Sequence, residues 1–101
     1  MPQYVVLGKL TDQGIRTVTS ALERRTQMRQ GVERMGGRVI ASYWTQGAYD
    51  TVTLIEGPDE ETVMALLLAG GMQGTLRTET LRAFGDEEIE RILQKLPPSA
   101  P

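Results

Sequence analysis

The sequence predicts an α+β fold: a four-stranded antiparallel sheet with two helices on one face and an extra helix at the C-terminal end. Three observations carry this. Short β-rich runs alternate with helical segments in the order β-α-β-β-α-β-α. The segment 38–56 reads as two strands joined by a loop containing Gly47. The 101-residue length suits one domain. The first six elements have the ferredoxin-like βαββαβ order.

Gln3 to Lys9, QYVVLGK, is short and rich in β-formers and predicts the first strand. Thr11 or Asp12 can cap a helix start. A short helical turn near 13–19 follows, weakened by the β-branched run Thr17–Val18–Thr19. Ser20 and Glu23 have the capping-box spacing, so a longer helix is expected from 21 to about 35, ended by Gly36–Gly37. Arg38–Thr45 and Tyr49–Glu56 are the second and third strands, around the loop Gln46–Gly47–Ala48. Asp59 is an N-cap with Glu60 and Glu61 in the first turn, and this helix is expected to stop at Gly70–Gly71. The Thr-rich stretch 75–84 is the fourth strand. The last helix starts at Gly85 or Asp86 and carries Ile89, Ile92, Leu93 and Leu96 at helical spacing. Pro97 and Pro98 end it, so one domain is expected over 1–96 and a flexible tail over 97–101.

Composition narrows the chemistry. Hydrophobic residues make up 40% and charged residues 24%, which is globular composition. The absence of Cys and His removes disulfides, the commonest zinc ligands, His-bound haem and Ser–His or Cys–His pairs within the chain. No metal and no cofactor are expected. The net charge of −2 and the lack of an aromatic-rich RNA-binding signature argue against a nucleic-acid partner. No apolar run approaches the ~20 residues that cross a bilayer. The N-terminus shows no leader pattern, and a cytoplasmic location is the default expectation. Residues 1–50 carry a net +3 and residues 51–101 a net −5, an asymmetry suited to self-association.

The motifs YVVL (4–7), TDQGI (11–15), GGR (36–38), YWTQGAYD (43–50), EGPDEE (56–61) and RTETLRAF (77–84) resemble the GYD-domain family across nearly the whole chain up to Leu96. The family's Gly, Tyr and Asp match Gly47, Tyr49 and Asp50. Where the family often has a serine cap, this chain has Gly85. It also has Ala21 and Leu22 in a region where the family often has a proline. The resemblance implies a ferredoxin-like fold similar to dimeric α+β barrel proteins, and no agreed activity.

Function is expected on the open sheet face. Val52 and Leu54 are assigned to the helix side. Thr51, Thr53, Ile55 and Tyr49 then fall on the open side, where Tyr4, Val6 and Trp44 add apolar area. A homodimer or higher homo-oligomer that packs sheet on sheet is expected. Burying ~600 Å² of apolar surface is worth on the order of 15 kcal/mol gross, before association costs. A small-molecule ligand could occupy the shared interface.

The candidate ligand-binding residues are Arg25, Trp44, Tyr49, Asp50, Arg77 and Glu79. Tyr49 and Asp50 either line a pocket mouth, with Asp50 as a proton acceptor, or pin the loop through backbone hydrogen bonds. Trp44 either stacks on a ligand or packs in the core or an interface. Arg25 interrupts an apolar stripe of Leu22, Met28, Val32 and Met35. It either holds an anion, pairs with Asp50 or Glu79, or reaches solvent. Three functions fit: an oligomeric small-molecule binding or regulatory module, a cofactor-free enzyme of the monooxygenase or isomerase kind, or a structural adaptor for another protein.

Overall fold

The structure is a computed structural model and describes residues 1–99. Its elements are β1 (Gln3–Leu10), α1 (Asp12–Arg16), α2 (Ala21–Arg34), β2 (Arg38–Trp44), β3 (Thr51–Glu56), α3 (Glu60–Met72), β4 (Leu76–Ala83) and α4 (Asp86–Leu93). A single 3₁₀ turn, Val18–Ser20, leads into α2. The strands form one sheet in the order β2-β3-β1-β4, with every neighbouring pair antiparallel. This is the expected α+β, ferredoxin-like arrangement. Of the expected tail over 97–101, residues 100 and 101 lie outside the described residues.

Local chemistry sets most boundaries. Thr11 caps α1 by accepting the Gly14 N–H at 3.0 Å, and Asp59 caps α3 by accepting the Thr62 N–H at 2.7 Å. α2 closes through Gly36 N–H to Glu33 O and Gly37 N–H to Val32 O. Ser20, by contrast, makes no capping bond. Its φ of −96° and ψ of 5° already belong to the preceding turn, so its hydroxyl is not aimed at the free N–H groups of α2. Gly70 and Gly71 do not stop α3, which continues through Met72. Glycine weakens a helix without ending it; the reversal comes at Gly74, with φ of +79°.

The core is small. Tyr4, Ile55 and Val63 are buried together, with Val6, Val39 and Leu67 packed against them. This cluster fixes the sheet's orientation and reverses the expected one. Thr51, Thr53 and Ile55 point toward the helices, as do Tyr4 and Val6, while Val52 and Leu54 alternate to the open side. Thr53 can be buried because its hydroxyl is hydrogen-bonded to Ser42 Oγ at 3.0 Å, and threonine is otherwise β-branched and strand-compatible. The α2 stripe is also rotated. Ala21 and Val32 are buried, but Leu22 is 70% and Met35 43% exposed.

Candidate functional site

Two surfaces on opposite sides of the sheet could bind something. The first is a cavity of about 500 Å³ between the sheet and the two longer helices. Its floor is β3 and β4, including Thr51, Thr53, Leu76 and Thr78. Its walls are α2, through Arg24, Arg25, Met28, Gly31 and Val32, and α3, through Leu66, Leu67, Gly70 and Gly71.

Trp44 ends β2 at the rim of this cavity, and the Arg25 guanidinium lies 4.1 Å from its ring centroid. Arg25 Nη2 donates to Tyr43 O at 3.3 Å. Burial, and secondarily the charge of Arg29, hold the Arg25 guanidinium below its ordinary pKa. Neither Asp50 nor Glu79 pairs with it. Arg24 is committed elsewhere: Nη1 donates to Thr17 O at 3.0 Å and Thr17 Oγ1 at 3.3 Å, and Nη2 reaches Gly14 O at 3.5 Å.

The second surface is the open sheet face. Cross-strand register places Ala41, Leu54, Val5 and Leu81 in one row, and Tyr43, Val52, Leu7 and Glu79 in the next. Val5, Leu7, Val52 and Leu54 are only half-buried, and Tyr43 and Leu81 are 63% and 52% exposed. One end of this apolar centre is bounded by the Arg38–Glu56 ion pair at 2.8 Å. At the other end, Lys9 lies opposite Arg77, Lys9 Nζ stands 5.2 Å from the Tyr49 ring centroid, and Tyr49 Oη donates to Glu79 Oε2 at 2.7 Å. That bond raises the Tyr49 phenol's pKa, because ionisation would set a phenolate beside a carboxylate.

The six candidates therefore divide. Arg25 and Trp44 meet at the cavity, whereas Tyr49, Arg77 and Glu79 gather at one end of the open face. Asp50 lies between strand ends and is used structurally: Oδ2 accepts the Leu10 N–H at 2.8 Å. The cavity lies under the helices, on the opposite side of the sheet from the face where a ligand site and an interface are expected together. Sequence reasoning missed the Thr51–Thr53 floor because it placed those residues on the wrong side. It also passed over Gly31, Gly70 and Gly71 as cavity walls. The available signal was glycine inside segments of helical pattern.

Known proteins place this arrangement in a family. A crystal structure of a protein from Thermus thermophilus matches with a TM-score of 0.54 at 24% identity, covering 84% of this chain and 95% of that one; the likeness bears on the fold. A Thermus thermophilus protein described as "Glutamine synthetase and cystathionine beta-lyase binding protein" is 39% identical over 85 residues, which span 83% of this chain and 90% of the relative. The GYD domain family model matches residues 4–93. This chain belongs to the GYD-domain family.

Proposed function

We propose that this protein is a binding module that acts by associating with other proteins, through the open face of its sheet. The observation that carries the reading is the apolar centre of that face, ringed by charges of both signs, which is the anatomy of an interface. The relative's description supplies the partner class: metabolic enzymes, with glutamine synthetase and cystathionine β-lyase as first candidates. A second copy of the chain covers the same face when no such enzyme does, giving a homodimer with two sheets face to face. Standard interfaces bury about 800 Å² per partner, and α4 leaves Ile89, Ile92 and Leu93 exposed as well.

The cofactor-free enzyme has less support. The Asp50 carboxylate is occupied by the Leu10 N–H, the Tyr49 phenol is pushed away from neutral pH, and Arg25 lies across the sheet from Tyr49.

Native mass spectrometry and co-elution with the purified enzymes test the reading. The expected result is a dimer mass alone and a complex with at least one enzyme. Both are lost in the double variant Tyr43→Ser/Leu81→Lys, whose circular dichroism stays native. A single-chain mass together with no co-elution at micromolar concentration overturns it.

A further inference from the structure

The cavity under the helices is built in a way that packing does not explain. Gly31, Gly70 and Gly71 lie inside helices, where glycine is the poorest residue after proline. Helical glycines usually let another element approach closely, yet a Cβ added at any of these three would meet nothing within 4 Å. Gly31 and Gly71 are half-buried and Gly70 is exposed, and all three border the cavity without narrowing it. Its volume of about 500 Å³ falls within the ~300–1,000 Å³ range of small-molecule pockets.

The chemistry of the lining selects an occupant. Most of the wall is aliphatic, from Met28, Val32, Leu66 and Leu67, over a floor bearing the Thr51 and Thr53 hydroxyls. Three guanidiniums line this space. Arg24 is anchored on Thr17 through Nη1 and on Gly14 through Nη2, and Arg34 is exposed. Arg25 is half-buried, with one face stacked on Trp44 and a single bond, to Tyr43 O, among the described residues. A guanidinium carries five N–H donors, so a planar, bidentate edge remains available. A phosphate would call on a second guanidinium, and Arg24 is held on Thr17 and Gly14, whereas one carboxylate matches the Arg25 edge.

We propose that this cavity binds a small organic acid with an apolar body and a single carboxylate, the body between α2 and α3 over Thr51 and Thr53 and the carboxylate on Arg25. The site lies on the opposite side of the sheet from the docking face, so it stands or falls independently of the association described above. An anion there also relieves the repulsion between Arg25 and Arg29 and the burial of an uncompensated charge.

Trp44 is the only tryptophan, so its fluorescence reports this site directly. The test titrates the full chain with octanoate and with 4-phenylbutyrate, which separate an aliphatic from an aromatic body, and with 1-octanol and octylammonium as controls. Isothermal calorimetry accompanies each titration. The expected result is saturable one-to-one binding of at least one acid, with octanol and octylammonium at least tenfold weaker. Arg25→Gln should weaken the acid at least tenfold. Gly31→Leu, which fills the space while favouring helix, should abolish binding, and Arg77→Gln on the other face should change nothing. The proposal is overturned if the folded wild type binds neither acid by either readout. It is equally overturned if octanol binds as well as octanoate, or if Arg25→Gln binds like wild type.

Discussion

Asp50 joins strand ends that the sheet ladder alone leaves apart. Its carboxylate accepts the Leu10 N–H at 2.8 Å, its own N–H donates to Gly8 O at 2.8 Å, and its carbonyl accepts the Thr45 N–H at 2.9 Å. One residue thus ties the ends of β1 and β2 to the start of β3. Asp50→Ala strands the half-buried Leu10 N–H, which should cost about 1–3 kcal/mol in urea unfolding. Asp50→Asn keeps an acceptor oxygen and should cost less. Equal stability of Asp50→Ala and wild type would mean that water replaces the carboxylate without loss. This backbone role was legible in the sequence as one of two readings, because a short carboxylate beside a turn commonly binds nearby N–H groups. The partners of Tyr49 and Arg25 were not. Glu79 is 30 residues from Tyr49, and the Trp44 ring reaches Arg25 only once β2 is paired and α2 is laid across it.

At the scale of elements, the helices show what local rules capture and where they stop. The Asp59 cap of α3 was readable because capping is a contact over three residues. The end of α3 was misplaced because glycine was taken as a terminator, although only a change in backbone sign at Gly74 turns the chain. The buried face of α2 was rotated because Leu22 looks more like core than Ala21; tertiary packing chose the smaller residue at 7% exposure. Gly31 now offers a clean test of the empty cavity wall. With no atom within 4 Å of an added Cβ, Gly31→Ala should stabilise the protein by about 0.5–1 kcal/mol, the ordinary helix-interior difference. Chemical denaturation measures it. A loss of stability instead would mean that α2 packs closely at this position and that the cavity is narrower than the structure gives it.

For the whole molecule, sequence reasoning reached the order and pairing of strands but not which side of the sheet the helices cover. In TVTLIE both alternating sets contain β-branched residues, so hydropathy leaned toward burying Val52 and Leu54. The fold instead buries Thr51, Thr53 and Ile55, with Ser42 partnering the Thr53 hydroxyl. The exchange puts Val5, Leu7, Val52, Leu54 and Leu81 on the open face and removes Trp44 and Ile55 from it. The attachment of α4 to this body is electrostatic at its root. Gly85 offers no side-chain cap, and Glu88 compensates by accepting from Arg82 Nη2 at 2.9 Å and from Gly85 N–H at 3.5 Å. Arg82 in turn lies against the rings of Phe84 and Tyr4, with ring centroids at 4.4 and 5.7 Å. The Arg82 bond, chiefly, holds the Glu88 carboxyl below its ordinary value of 4.5. A carboxyl depressed in the folded state favours folding above its unfolded pKa, and that contribution is lost as pH falls through the lower folded value. Acidification below about pH 4 should therefore loosen the root of α4, read as faster amide exchange over residues 86–93 than in β1 and β3. Asp59, also depressed by its bond to Thr62, loosens the start of α3 in the same range, so the exchange must be resolved by segment. Glu88→Gln separates the two. It removes the acid response of α4 and leaves that of α3, whereas an α4 response that persists in Glu88→Gln would place the titrating group elsewhere.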